Sequence, residues 1–509
     1  MPLYIYLLLL LPILSGCARS IQPHSEPASY ALTPAIHSNV WQQFSDNLPN
    51  DDKATSWFSL LNTGPQSLVR RLALIDTAET AIDAQYFLWL EDSVGSLSFE
   101  RLLAAADRGV RVRLLLDDSF LAGEDSVVLA LADHPNIHVR IYNPFAIRST
   151  SMTERYVENL NDFSRTNQRM HNKLLIADST VAIIGGRNIA DEYFGFGHAR
   201  NFRDFDLVTA GAIVPDLTNG FDVFWNSGWA FPIPEVDHKY ATDTDLVRLK
   251  DDLRTNASIL DNWQNVNQTQ NKSWQESWAD HARMMIPGQA TLLLDKPHFE
   301  KALPTNVSEE LLQTFRASDE EIIAISAYLI MTDELLNITQ LATDKGVRVS
   351  FLTNSLASTN HVAAHSAFRH HRKAILKTGA NIFTVRPDAA TRLEHEAPGF
   401  TAKQYGLHGK VVIIDSDKIF VGTLNLDPRS MFLNTEMGLL IDSPKLNAAV
   451  RDAFLPDFSP YSSWQLELTD SDQLLWVSSD EVLTQQPAAS IGQRIMDFIF
   501  GLFPIDSEM

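Results

Sequence analysis

Cysteine is almost absent. The 509 residues hold one, Cys17, so no disulfide can form within the chain. Basic residues are also scarce, 41 Lys and Arg against 63 Asp and Glu, which leaves a formal net charge of -22 at pH 7. A surface of that sign repels nucleic acid, whose binding draws on a basic patch that releases counterions. It still admits an anionic lipid or phosphodiester to a locally basic cleft. No apolar run reaches the roughly 18 residues that a membrane-spanning helix needs, and no low-complexity tract interrupts a globular composition. The histidines lack carboxylate or thiolate neighbours at metal-ligand spacing, so neither a metal nor another cofactor is expected. What remains is a chain long enough for two domains of ordinary size.

The amino terminus reads as a leader. Leu3 to Leu14 is apolar apart from Pro12, too short to cross a bilayer but suited to a signal-peptide core. Leu14-Ser15-Gly16-Cys17 then resembles a bacterial lipobox, although the segment before it carries no Lys or Arg. Cys17 would be lipidated and become the first mature residue. No Asp follows it, only Ala18 and Arg19, which favours an outer-membrane anchor facing the periplasm of a bacterial envelope.

Beyond this leader (1–17) and a Ser-, Pro- and His-rich tether (18–50), the chain repeats itself. Gly109-Val110-Arg111-Val112 recurs as Gly346-Val347-Arg348-Val349, His171 as His408 and Asn188 as Asn425, each 237 positions on (408 − 171). In each copy a β-rich run (Ile82 to Leu88; Ile322 to Ile330) leads into a helical stretch. A helix C-cap glycine (Gly109; Gly346) and a buried strand follow. Alternation of this kind predicts an α/β fold of two duplicated lobes, each a mostly parallel mixed sheet flanked by helices. The lobes are assigned to 51–231 and 288–470, with a partly helical connection at 232–287 and a C-terminal segment at 471–509.

Each copy holds one conspicuous motif. The first is His171-Asn172-Lys173, four more residues to Asp178, then Gly185-Gly186-Arg187-Asn188. The second is His408-Gly409-Lys410, four more to Asp415, then Gly422-Thr423-Leu424-Asn425. On a strand, i and i+2 share a face, so His and Lys project together from a buried apolar run. Phosphodiester exchange without a metal needs these groups. One imidazole attacks phosphorus, a second protonates the leaving alkoxide, and ammonium and amide groups steady the charge on the non-bridging oxygens. Each copy supplies one imidazole, so two copies facing each other make one site.

The twice-present His-x-Lys-x4-Asp and Gly-x-x-Asn resembles the phospholipase D superfamily. The resemblance implies His171, Lys173, Asp178, His408, Lys410 and Asp415 as the catalytic motif residues. Asp178 and Asp415, at the far end of the strand, are expected to fix structure. It further implies Asn188 and Asn425 as phosphate-binding residues and a carboxylate downstream of each Asn that orients an imidazole. These carboxylates are Glu436 in the second copy and Asp204, or else Asp206, in the first. His171 is assigned as nucleophile and His408 as acid/base, an order the sequence alone leaves open. Ala84-Gln85-Tyr86-Phe87-Leu88-Trp89, Tyr142-Asn143-Pro144-Phe145, Asp162-Phe163-Ser164-Arg165 and Asn425-Leu426-Asp427-Pro428-Arg429-Ser430 look like bacterial cardiolipin synthases of the C type. That similarity implies transfer of a phosphatidyl group onto phosphatidylglycerol from phosphatidylglycerol or phosphatidylethanolamine, on a membrane surface. The rivals are a phospholipase D that uses water, a phosphodiesterase nuclease, and a non-catalytic lipid-binding lipoprotein.

Three further features carry two readings each. The basic run Arg369 to Lys373 is a solvated helix face or a lipid-phosphate contact. Asp117 and Asp118 cap a helix or border the site. Ile491 to Phe503 is an amphipathic helix with Ile491, Ile495, Ile499 and Leu502 opposite Gln493, Arg494 and Asp497, either packed on a lobe or lying in a lipid interface.

Overall fold

The computed structural model describes residues 21–23, 26–32, 39–50, 55–236, 246–260, 274–297 and 306–502. The leader and Cys17 lie outside these residues, as do parts of the tether and of the inter-lobe connection.

The two copies build sheets of the same order. In the first, Ala81–Tyr86, Arg111–Asp117 and Ile137–Tyr142 run parallel. The helix Ser93–Asp107 makes the crossover between the first two. Its N-cap Asp92 accepts from the Gly95 amide, and it ends at Gly109, whose φ of 95° a side chain would oppose. On the other flank of Ala81–Tyr86 the chain returns antiparallel through Leu174–Ala177, Val181–Gly185, Asp206–Gly211 and Ser56–Leu61. In the second copy Glu321–Ser326, Arg348–Asn354 and Asn381–Val385 are the parallel strands. Lys410–Ile414, Lys418–Gly422, Met437–Asp442 and Ile286–Leu294 follow antiparallel. Ser56–Phe58 pairs with Ile286–Gly288 where the series meet, so one sheet, of 18 strands among the described residues, passes through both lobes.

The α/β class and the duplicated lobes follow the sequence reading. Within the sheet of each lobe, parallel pairing, expected to dominate, is limited to three strands. Every parallel step needs a long crossover, whereas the motif strands turn back as hairpins. In those hairpins Asp178, Ser179 and Asp415 sit at φ of 51°, 49° and 48°, a left-handed region that Asp tolerates better than most residues.

Strand alternation fills three cores. Leu174 and Ile176 of the first motif, with Val411 and Ile413 of the second, point into a central core between the lobes. Leu175 and Ala177 point to the outer core of the first lobe, and Val412 and Ile414 to that of the second. Each fully buried aliphatic side chain contributes about 2 kcal/mol, so both motif strands are clamped from two faces.

Two expectations need correction. The tether was expected to reach Asn50, but Asn39–Asp46 is a helix whose Trp41 and Phe44 rings lie 5.7 and 5.9 Å from Trp278. Its apolar residues span little more than one turn, which the polar composition around it conceals. The second lobe does not close at 470, because Leu474–Val477 and Val482–Leu483 extend its sheet. The basic run lies on the helix Val362–Lys377, where Arg372 is buried while Arg369, His370, His371 and Lys373 are partly or fully exposed.

Candidate active site

Two short parallel ribbons between the lobes assemble the site. In one, Arg200–Arg203 pairs with Gln404–Leu407 in a register that sets Arg203 opposite Leu407. The next residues, Asp204 and His408, are therefore brought side by side. His408 Nδ1 lies 2.6 Å from Asp204 Oδ2, and the His408 amide donates to the Arg203 carbonyl at 2.8 Å. In the other ribbon Met170 bridges Thr435, so His171 and Glu436 are the residues that follow. His171 Nδ1 lies 2.9 Å from Glu436 Oε2, and the His171 amide donates to the Thr435 carbonyl at 2.9 Å. The pairs are crossed. Each lobe supplies the carboxylate for the other lobe's imidazole.

The lysines lie beside their histidines, as their strand spacing requires. Lys173 Nζ donates to the His171 carbonyl at 2.5 Å and Lys410 Nζ to the His408 carbonyl. The Asn188 amide donates to the Tyr193 hydroxyl at 3.1 Å, and its oxygen accepts from the Leu88 amide at 3.3 Å. Asn425 is 3% exposed, with a buried amide oxygen that has no partner among the described residues. Aromatic rings wall both imidazoles, Phe87 at 4.9 Å from His171 and Tyr193 at 5.0 Å from His408.

Burial dominates the electrostatics. It pulls His171 well below the usual imidazole value, with Lys173 and Lys410 adding to the effect. His408 is pulled down to about 3 by burial and Lys410, against the Asp204 charge. Burial also lowers Lys173 to about 7 and Lys410 to about 8, although Glu436 and Asp204 oppose it. The two carboxyls part company. Burial raises Glu436 to about 8, with Lys173 opposing. Asp204 would also be raised by burial, but His408, Lys410 and Arg187 outweigh it and hold its carboxyl well below the usual range. Burial disfavours the charge on both ammoniums, and a phosphodiester placed between them would restore it. Among the described residues no three of His, Cys, Asp or Glu come together as metal ligands.

Asp178 and Asp415 do not enter the cleft. Asp178 accepts from the backbone amides of Glu79, Thr80 and Ala81 and from the Trp41 indole at 2.7 to 2.9 Å. Asp415 accepts from the amides of Asp319, Glu320 and Glu321 at 2.8 to 3.3 Å. Both pin the start of the neighbouring parallel strand. Asp206 pairs with Arg71 and Arg187, which leaves Asp204 as the carboxylate at the imidazole. Asp117 accepts from the Ser119 amide at 2.8 Å and from the Met170 amide at 2.9 Å, holding the residue before His171. Asp118 pairs with Arg148 and Arg155.

Sequence reasoning passed over several residues that shape the site. Thr423 Oγ1 donates to Glu436, and fully buried Arg187 donates to the Asp204 carbonyl at 2.6 Å. Both stand inside the Gly-x-x-Asn motif, whose spacer positions were the available signal. Arg429 donates to the Asn167 carbonyl at 3.0 Å, linking the lobes close to His171.

The family model described as cardiolipin synthase, phospholipase D-like domain matches residues 72–225 and 311–457. Cardiolipin synthase C of Escherichia coli is 33% identical over 456 residues, 86% of this chain and 92% of that protein. Cardiolipin synthase B of Shigella flexneri is 23% identical over 400 residues, 77% of this chain and 78% of that protein. Among solved structures, the phosphatidylserine synthase of Haemophilus influenzae superposes with a TM-score of 0.58 at 14% identity, over 92% of this chain and all of that one. That last likeness concerns the fold.

Proposed function

The chain belongs to the cardiolipin synthase, phospholipase D-like family of phospholipid-modifying enzymes, and we propose that it transfers a phosphatidyl group between phospholipids to make cardiolipin. The observation that carries this reading is the crossed pairing of His171 with Glu436 and His408 with Asp204. It yields one site with two imidazoles whose carboxylate partners differ in charge.

With Nδ1 of each ring given to a carboxyl, Nε2 is the nitrogen left for chemistry. His171 lies beside Glu436, whose carboxyl is pulled toward neutrality, so little favours protonating this ring and it serves as nucleophile. Burial holds the free His408 ring low, but the ionised Asp204 beside it and the negative charge of a bound phosphodiester both favour its charged form, so this is the ring that carries the proton once substrate is in place. In the first half-reaction His171 Nε2 bonds to phosphorus as the bond to the head-group oxygen breaks. His408 gives its proton to that oxygen, releasing ethanolamine from phosphatidylethanolamine or glycerol from phosphatidylglycerol. In the second half-reaction His408 takes the proton from a hydroxyl of phosphatidylglycerol, whose oxygen displaces His171. Lys173, Lys410, Asn188 and Asn425 steady the non-bridging oxygens throughout. Lipidation at Cys17 would hold this cycle at the envelope surface.

The test is incubation of the full chain with labelled phosphatidylglycerol and phosphatidylethanolamine. Labelled cardiolipin with free ethanolamine or glycerol is the expected product. Phosphatidic acid alone makes the protein a phospholipase D and refutes transfer.

A further inference from the structure

The helix Ile491–Phe500 is held by its polar side. Asp497, 1% exposed, meets His365 Nδ1 at 3.2 Å, Arg369 Nη1 at 3.2 Å and Gln486 Nε2 at 2.7 Å. The Ser366 hydroxyl donates to its carbonyl at 2.8 Å, and the Gln493 amide donates to the Leu356 carbonyl. The apolar side is left outward. Ile491, Ile495, Met496, Phe498, Ile499 and Leu502 are 43% to 78% exposed. Single exposed apolar residues are ordinary on a protein surface, but five on one short helix, with Leu502 just past its end, mark a contact face.

A cleft of about 420 Å³ runs along the same helix, lined by Arg369, Arg372, Lys373 and Arg494 with Trp476 and Gln486. Arg372 is 8% exposed, its Nη1 donates to Gln486 at 2.8 Å and its Nε has no partner among the described residues. Lys373 is shared with Asp472 at 3.1 Å, and Asp472 is the cleft's one acidic residue. Four cations gathered in a chain of net charge -22 complement an anionic partner.

The position of the helix relates this face to the catalytic cleft. Leu356, which receives Gln493, lies two residues beyond the strand Arg348–Asn354. Asn354 Nδ2 donates at 2.7 Å to the carbonyl of Leu407, the residue before His408. In the other lobe Ile147, Val157, Leu160 and Phe163 are 42% to 61% exposed, in the segment that leads to His171.

We propose that this face is a bilayer-docking surface. The apolar side of Ile491–Phe500 inserts at the lipid interface, and the cleft of Arg369, Arg372, Lys373 and Arg494 takes the phosphate of an anionic phospholipid. Docking there sets the lobe seam toward the membrane that holds the lipids the Proposed function requires. Its test reads binding rather than turnover, so it stands or falls separately from cardiolipin synthesis.

The full chain carrying Cys17→Ser, so that no acyl anchor contributes, is floated with phosphatidylcholine vesicles with and without phosphatidylglycerol. Stronger partition onto the anionic vesicles is expected. Ile495→Glu with Phe498→Glu, both at exposed positions, should lower partition at least about 100-fold on either vesicle. Lys373→Glu with Arg494→Glu should lower it about 10-fold on anionic vesicles alone. A thermal midpoint at the parent's value shows that each variant is folded. Unchanged partition of the first pair overturns the insertion. Partition of the second pair that matches the parent's on anionic vesicles overturns the phosphate cleft. Inorganic phosphate that stabilises the vesicle-free protein as much as anionic vesicles do reassigns the cleft to a soluble ion and overturns its lipid role. A concentration-dependent dimer, lost in the first pair while vesicle binding persists, assigns the face to a second copy and likewise overturns the proposal.

Discussion

Crossed wiring makes the two orienting carboxylates separable by choice of substrate. Asp204→Asn keeps the shape and a hydrogen bond to His408 Nδ1 but removes the charge that steadies an imidazolium. The contact is 2.6 Å long and both residues are buried. As a charge-assisted hydrogen bond it is worth about 1.5–3 kcal/mol. At about 1.4 kcal/mol per tenfold, turnover of a phospholipid should fall about 10- to 150-fold, because its alkoxide leaves only with a proton from His408. A p-nitrophenyl phosphodiester needs little protonation, so its burst of covalent adduct should fall by less than about fivefold. Glu436→Gln acts on the attacking ring instead and should slow both substrates alike. The pH profile carries a sign as well. The Asp204 carboxylate favours the charged ring, so its removal lowers the His408 pKa. The limb where activity is lost as pH rises should then move to lower pH, although both limbs belong to the coupled groups. Acid-quench trapping with labelled p-nitrophenyl ester, set beside steady-state phospholipid assays across pH, measures all of this. The reasoning is refuted if Asp204→Asn slows adduct formation as much as phospholipid turnover, or if Glu436→Gln spares the adduct.

Other substitutions probe other links. His171→Ala should abolish the trapped adduct, whereas His408→Ala should still form it slowly from the p-nitrophenyl ester while losing at least about 100-fold on phospholipid; the reverse pattern of label exchanges the two roles. Asp178→Ala strips a carboxylate that serves three backbone amides and the Trp41 indole and should cost about 2–4 kcal/mol by urea unfolding, with kcat per folded molecule nearly unchanged. Activity should survive EDTA, because Lys173 and Lys410 supply the positive charge; loss that one divalent metal restores would contradict this. Cys17→Ala should abolish lipid labelling and shift the protein out of the outer-membrane fraction, and unchanged fractionation counts against the lipobox reading.

Much of the fold was legible because it was written twice. The 237-residue offset fixed the duplication, and strand alternation around Leu174 to Ile176 and Val411 to Ile413 indicated strands buried on two faces. The offset also marks where reading stops. Glu436 and Asp204 are 232 apart (436 − 204), five short of the repeat, because the chain between Asn188 and the carboxylate is longer in the first lobe. Asp206 therefore could not be set aside from sequence. What sets it aside is the ribbon that places Arg203 opposite Leu407 and the two arginines that neutralise Asp206. The helix Asn39–Asp46 was missed because its apolar residues find their partners far along the chain, among them Asp178 and Trp278.

The crossed arrangement also explains why duplication shows in the sequence while the site does not. A motif strand fixes its own His and Lys, since i and i+2 share a face whatever the rest of the chain does. The carboxylate that selects each ring's protonation state comes from the opposite lobe, and only pairing between lobes brings it there. One lobe alone would present an imidazole with no orienting partner, buried beside a lysine that disfavours its charged form. Separation of the lobes should therefore abolish activity, and it would also expose the central core that clamps both motif strands. Substitutions that loosen the Arg200–Arg203 ribbon should damage His408 more than His171, because the His171 pair hangs on the other ribbon, through Met170 and Thr435. The site is thus a property of the seam, and the asymmetry between Asp204 and Glu436 distinguishes two histidines that the repeat makes look alike.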